Sequence, residues 1–316
     1  MDNLTHSLVG WSLGQAGLKT KTRKGLAALI LGANMPDVDV FFGNAPWDPL
    51  AIHRGFTHGL FGGVLVMPPI LASLLWLLDR WQQSRGTEFQ SGLPMRVGWL
   101  VILSYLGTLT HPFLDLLTTY SVQLFSPLSN AWYHSDALFI IDVWVWLLLA
   151  IAIGVSKRRE QQGKEWRRIP QAAIAILLAY IGANLAISQA AYAAVRSDDP
   201  RAQAIFASPP PVLFWKRDLV WRDGGRYCRA AYDPLGGGFK AVGSCASSNI
   251  QEPLVQQAIH SDPRLQKFLK WSVLPQADVS RGRCIIRVSI GDARYGEGRR
   301  SRLARESVMP ALGPGC

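Results

Sequence analysis

Up to about residue 195 the chain alternates long apolar runs with short charged segments, and it loses that rhythm afterwards. Four runs are long and apolar enough to cross a bilayer as helices: about Phe56–Leu78, Val97–Tyr120, Ala137–Val155 and Pro170–Val195. Two stretches are weaker, Leu4–Leu18 being short and Gly25–Phe42 being interrupted by Pro36, Asp37 and Asp39. Broken apolar segments are tolerated at membrane depth where protein packs around them or where they line a cavity. The pattern predicts a mainly α, polytopic helical membrane bundle with six membrane segments.

The basic residues of the loops orient that bundle. Lys19–Lys24, the loop 79–96 and the loop 156–169 are rich in Lys and Arg and belong inside, whereas 43–55 holds only Arg54 and 121–136 holds neither. Alternation is then free of conflict, and the chain after Val195 emerges on the non-cytoplasmic side. The expected location is a membrane that the chain crosses several times.

Ionisable residues inside this apolar region are costly and commonly functional. They fall into compact clusters: Thr5-His6, Pro36-Asp37-Val38-Asp39, His53-Arg54-Gly55-Phe56-Thr57-His58, and His111-Pro112-Phe113-Leu114-Asp115, with His134, Asp136 and Asp142 further on. On the topology above, every cluster reaches the same outer leaflet. Imidazole and carboxylate together suit zinc, with manganese and iron as alternatives. The expected metal ligands are His6, Asp37, Asp39, His53, His58, His111, Asp115 and Asp142.

Spacing gives each cluster its own reading. His111 and Asp115 are four apart and share a helix face, beside a proline that should kink the helix; the plain alternative is a buried pair that stabilises the bundle. Pro36 should end a helix, and Asp37 and Asp39 diverge if the turn is extended, so that one carboxylate could bridge metals while the other holds an imidazole. His53 belongs on a loop, with Thr57 capping a helix that carries His58. Arg54 is either a clamp for a substrate phosphate or an anchor to lipid headgroups. A lone His6 on an apolar segment is otherwise a hydrogen-bonded core residue, and Asp142 is the most suspicious polar residue of the run Ala137–Val155.

Beyond residue 195 the character changes. Residues 196–316 carry 19 Lys/Arg against 11 Asp/Glu and so supply most of the chain's net charge of +11. No aromatic-interleaved motif accompanies these basic residues, so anionic lipid headgroups are a simpler partner than nucleic acid. Residues 196–211, which include Pro209-Pro210-Pro211, read as a linker from the membrane domain of 1–195. Strand-like runs at Val212–Trp221, Tyr227–Tyr232 and Cys284–Ile290 predict a small extramembrane α+β domain, rich in β, over 212–316. All four cysteines, Cys228, Cys245, Cys284 and Cys316, lie there, and a Cys228–Cys245 disulfide competes evenly with free thiols.

The order Thr5-His6, Pro36-Asp37-x-Asp39, His53-Arg54-Gly55-x-Thr57-His58 and His111-Pro112-x-x-Asp115 resembles the YdjM-like family of bacterial membrane-bound metal-dependent hydrolases. The resemblance covers roughly residues 1–155. The family is distantly similar to zinc-dependent phospholipases C; their later His-x-x-x-Glu element is missing here, which counts against a third metal. The resemblance implies a hydrolase of a bacterial inner membrane, and a site that opens toward the outer leaflet makes phosphoesters of lipids the first substrate to consider. Two ions with a bridging carboxylate would activate a water, with Asp39 and Arg54 in catalytic roles. The competing class is non-enzymatic, a divalent-metal transporter or a metal-dependent membrane sensor with the same ligands. Oligomeric state has no signature in the sequence.

Overall fold

The computed structural model describes residues 1–89, 91–296 and 303–310 and divides into two compact units, Met1–Ala186 with Pro211–Phe214, and Ile187–Pro210 with Trp215 onward. The first is helical. It comprises α1 (Asn3–Gln15), α2 (Gly25–Asn34), the short α3 (Asp48–Ala51), α4 (Met67–Ser84), α5 (Val97–Leu116), α6 (Val143–Gln161) and most of α7 (Arg168–Asp198). Among the described residues, four helical segments are long and apolar enough to cross a membrane: Gly25–Phe42, Leu60–Ser84, Val97–Leu116 and Arg168–Asp198.

Glycines set how closely α1, α2 and α5 approach. A Cβ on Gly10 of α1 would lie 2.6 Å from the Leu29 carbonyl oxygen of α2, and a Cβ on Gly107 of α5 would lie 2.6 Å from the same oxygen. Only hydrogen fits at either place, so the three backbones meet around Leu29. His6 stands four residues from Gly10 and His111 four residues from Gly107, one turn away on the same helix face. The close crossing therefore delivers the two histidines to one spot. Ser104 and Thr108 occupy the buried side of α5 without stranded hydroxyls, since each donates to the carbonyl four residues earlier.

Two segments depart from regular helix. After Asn34 the chain tightens into a 3₁₀ run, Met35–Phe42, with Pro36 in its first turn, so the Asp37 region is helical and not extended. In a 3₁₀ helix residues two apart point about 120° from each other, so the aspartates still diverge. Thr57 and His58 lie in a single 3₁₀ turn, Phe56–His58, which precedes a π-helical stretch over Leu60–Val66. Thr57 is thus inside the turn, and no side-chain cap forms there.

The expected apolar span from Ala137 starts later, at Val143. Asp142 stops it from beginning sooner, because its carboxylate accepts from the Trp144 and Val145 amides and caps α6. The helix then runs on to Gln161, with Arg158 and Arg159 in its last turn, where they complement the helix dipole.

In the second unit, the last turns of α7 supply Ala191, Tyr192 and Val195 to a core shared with Leu219, Trp221 and Ala230. Strands β1 (Gln203–Ser208), β2 (Arg217–Asp223), β3 (Arg226–Asp233) and β4 (Gly238–Ala241) pair antiparallel in that order, with β5 (Ala246–Ser247) also against β3. Two short helices, α8 (Pro253–Ser261) and α9 (Pro263–Trp271), pack on a second antiparallel sheet of β6 (Pro275–Arg281), β7 (Ile285–Asp292) and β8 (Ala304–Pro310). Cys228 and Cys245 form a disulfide. Cys284 is also disulfide-bonded, and Cys316 lies outside the described residues.

Candidate metal centre

Asp115 is the hub of the first unit. Its Oδ2 lies 3.3 Å from His111 Nε2, one turn back on α5, and 3.4 Å from His58 Nε2. Asp37 Oδ1 lies 3.2 Å from His58 Nε2 and 3.5 Å from His111 Nε2. Each of two imidazole nitrogens thus faces each of two carboxylate oxygens. Ligands that bind one tetrahedral ion at about 2.0–2.1 Å stand roughly 3.3 Å from one another, close to the four nitrogen-to-oxygen separations here.

Each of these imidazoles is held by its far nitrogen. His111 Nδ1 lies 2.6 Å from the Ala33 carbonyl oxygen, which can only accept, so Nδ1 carries a proton and Nε2 is the nitrogen turned toward Asp37 and Asp115. His58 Nδ1 lies 3.2 Å from Asp39 Oδ2 and 3.1 Å from Thr57 Oγ1, whose hydroxyl donates to the same Oδ2. His58 Nδ1 is thereby engaged on the Asp39 side, and Nε2 faces Asp37 and Asp115. Holding a histidine by its far nitrogen in this way is the usual means of aiming a metal-binding imidazole.

The set also leaves polar atoms stranded. Both ring nitrogens of His6, His111 Nε2 and Asp115 Oδ2 are buried without a hydrogen-bond partner. A buried polar atom left so costs about 1–3 kcal/mol, and several around one point call for a ligand. A divalent cation could meet that demand, since the donors are imidazoles and carboxylates. Three groupings of donor atoms are close enough to hold an ion: His6, His111 and Asp115; Asp37, His58 and His111; Asp39, His53 and His58.

His6 stacks on His111 with ring centroids 3.8 Å apart, and its Nε2 is 3.6 Å from Asp115 Oδ1. The Met1 amino group also contacts that oxygen. Arg54 completes this side, with Nη2 3.1 Å from Asp115 Oδ1 and Nη1 donating to Thr118 Oγ1. It is 2 % exposed, its guanidinium lies 4.4 Å from the Tyr120 ring centroid, and its Nε has no partner. Its backbone has φ of +63°, an uncommon conformation for a residue with a side chain, stabilised by its amide donating to Asp39 Oδ2 and its carbonyl accepting from the Gln123 amide. A headgroup-facing Arg54 does not fit this burial.

Asp39 organises the loop. Its Oδ2 takes the Arg54 amide and the Thr57 hydroxyl, and its Oδ1 lies 2.9 Å from His53 Nδ1. The His53 side chain is 38 % exposed and that of Asp37 15 %, while His6, His58, His111 and Asp115 are fully buried. The centre is accordingly approached past Asp37 and His53.

A family model described as YdjM inner membrane protein matches residues 1–191. The chain belongs to the YdjM family. No curated protein and no solved structure matches the chain. The YdjM match takes in all the clusters singled out from the sequence and three of the four apolar helical segments, and it ends at residue 191, within the fourth and before β1.

Within this YdjM region the structure gathers His6, Asp37, Asp39, His53, His58, His111 and Asp115, with Arg54, into one centre. Asp142 is placed outside the three groupings, its oxygens satisfied by the α6 amides and the Tyr180 hydroxyl. His134 pairs with Asp136 at 3.0 Å, also outside those groupings. Sequence reasoning missed Ala33, Thr118 and Tyr120. A backbone carbonyl such as that of Ala33 has no sequence signature; Thr118 and Tyr120 follow closely on Asp115 and could have been found as polar continuations of its helix.

Proposed function

We propose that this YdjM-family protein is a metal-dependent phosphoesterase of the inner membrane, acting on lipid-linked or other phosphodiester substrates. The observation that carries the reading is the set of four donor atoms, His58 Nε2, His111 Nε2, Asp37 Oδ1 and Asp115 Oδ2, with nitrogen-to-oxygen separations of 3.2–3.5 Å beside stranded buried donors. These four residues would hold a divalent ion, with zinc first in order because two imidazoles and two carboxylates match its four-coordinate preference. His6 and Asp115 would hold a second ion less completely, because Asp115 Oδ1 also pairs with Arg54 and the Met1 amino group. When bound, such ions supply Lewis-acid chemistry: water activation and neutralisation of charge at a phosphoryl group.

The remaining residues bind, orient and move protons. Asp39 holds His58 by Nδ1 and so fixes the ring. Arg54 Nε–H is a buried donor beside the hub, placed to receive an anionic oxygen of a phosphoester. His53, oriented through Nδ1 by Asp39, offers Nε2 at the accessible side for proton transfer to a leaving alkoxide. Burial of the other donors excludes bulk water and strengthens each of these interactions.

The topology proposed with this function has six membrane segments, with α1 and α6 added to the four apolar ones, and the second unit outside the cytoplasm. The Cys228–Cys245 disulfide supports that placement, because such bonds persist in oxidising compartments. The test is hydrolysis of bis-p-nitrophenyl phosphate and of phospholipid vesicles by detergent-purified protein, with and without a chelator. Chelator-sensitive release of product is expected. Full metal loading without turnover, together with metal flux in proteoliposomes, would replace this reading with transport.

A further inference from the structure

Beside the metal centre, four helices of the first unit leave a cavity of about 140 Å³. Val9 and Leu13 of α1, Thr110 and Leu114 of α5, and Leu177 and Ile181 of α7 form most of its wall, with Leu149 of α6. Ser12 of α1, whose buried hydroxyl has no hydrogen-bond partner, also lines it, yet no polar surface faces into it, and the Thr110 hydroxyl donates to the Gly107 carbonyl. Cavities of roughly this size lined by Leu and Ile stay dry and accept hydrocarbon. Two further wall residues, Phe113 and Leu178, are 46 % and 55 % exposed, so the cavity opens sideways between α5 and α7, both apolar enough to cross a membrane.

Its position relative to the centre is fixed by the chain itself. Thr110 and Leu114 directly precede His111 and Asp115 on α5. Val9 and Leu13 follow His6 by three and seven residues, which places them roughly 5–10 Å further along the α1 axis. A molecule whose head reaches the centre past Asp37 and His53 and whose apolar end runs along α1 beyond His6 would meet this cavity. Only hydrocarbon is available to fill it from the side where it opens.

We propose that this crevice is a tail subsite: it takes one hydrocarbon chain of a membrane amphiphile whose phosphoester head lies at the metal centre. The identity of the head rests on the phosphoesterase reading above; the chain site stands on the crevice alone. The subsite makes the substrate class an amphiphile that enters laterally, in preference to a free phosphodiester arriving from water.

The experiment uses the full-length protein in vesicles containing a phosphatidylethanolamine with a diazirine midway along one acyl chain. After irradiation, mapped adducts should concentrate on peptides holding Val9–Leu13 and Ile174–Ile181 over the exposed α6 residues Leu147 and Ile151. Leu178→Trp, at the exposed rim, should lower crevice labelling, and Leu177→Trp, inside, should lower it further. Hydrolysis should favour a long-chain over a short-chain phosphodiester by about tenfold or more in kcat/KM, as burial of several methylenes implies, and Leu178→Trp should erase that preference. Labelling no denser in the crevice than at Leu147–Ile151, or unaffected by both tryptophans, would overturn the proposal. Hydrolysis without selective labelling would sink the tail subsite alone, whereas selective labelling that persists in His58→Ala, with no turnover even in the wild type, would uphold it and sink the phosphoesterase.

Discussion

Replacing Asp39 separates orientation of the metal-binding histidines from ligation itself. Asp39 makes no contact with His111 or Asp115 among those described above; it accepts from the Arg54 amide at 3.1 Å and the Thr57 hydroxyl at 3.0 Å, and lies 3.2 Å from His58 Nδ1 and 2.9 Å from His53 Nδ1. Asp39→Ala removes the charge that holds the His58 ring and leaves the Arg54 amide unpaired. Loss of such an outer partner costs about 10–100-fold in metal affinity, or roughly 1.4–2.8 kcal/mol. A stranded amide costs a further ~1–3 kcal/mol of stability. Asp39→Asn should fall between, because its amide oxygen can take the place of Oδ2 while its charge is gone. Competition titration against a chelator, with thermal unfolding of the same samples, reads both effects. Wild-type affinity in Asp39→Ala would refute the orienting role. Complete loss of metal at millimolar concentrations would make Asp39 a direct ligand of the ion.

Gly107→Ala should destabilise the first unit by about 1–3 kcal/mol and weaken metal binding, since its Cβ would meet the Leu29 carbonyl at 2.6 Å and part α2 from α5. Gly154→Ala in α6, with nothing within 4 Å of the new Cβ, should leave both unchanged or raise the unfolding temperature slightly; equal effects at the two sites would remove the close-crossing argument. For topology, a cysteine at Leu235, which is 79 % exposed, should react with a membrane-impermeant maleimide in cells with an intact inner membrane, and one at Gly86 should not. The reverse pattern would invert the proposed orientation. In the second unit, burial pushes the Asp292 carboxyl up, but the Arg294 guanidinium and its hydrogen bonds more than offset this and hold it below the usual carboxylate range. A carboxylate lowered on folding contributes stability above its unfolded pKa and loses it as pH falls further, so acid should melt this unit in the wild type more steeply below about pH 4 than in Asp292→Asn. Parallel acid profiles would contradict that assignment.

Much of the centre was legible because metal chemistry restricts residue type and helices restrict spacing. His111 and Asp115 could be paired from their separation alone, and the 3₁₀ run kept Asp37 and Asp39 divergent although it was not the extended turn their spacing suggested. Asp142 misled for an equally physical reason: a carboxylate in an apolar stretch looks like a ligand, but a helix N-terminus satisfies one as well. The proton placement on His111 depends on a backbone carbonyl that no sequence pattern marks. In the second unit, β2, β3 and β7 overlapped the strand-like runs, whereas α9 was passed over despite Asp262-Pro263, a cap followed by proline at the first helical position. Its nine residues carry three charges and too few turns for an apolar stripe to stand out.

The central claim is that His58, His111, Asp37 and Asp115 hold a divalent ion, and metal analysis of detergent-purified protein tests it most directly. The wild type, loaded with zinc and desalted, should retain at least one equivalent per chain. His111→Ala and Asp115→Ala, shown to be folded by their helical circular dichroism, should retain almost none. A wild-type protein that emerges metal-free, or folded variants that keep its full complement, would contradict the account.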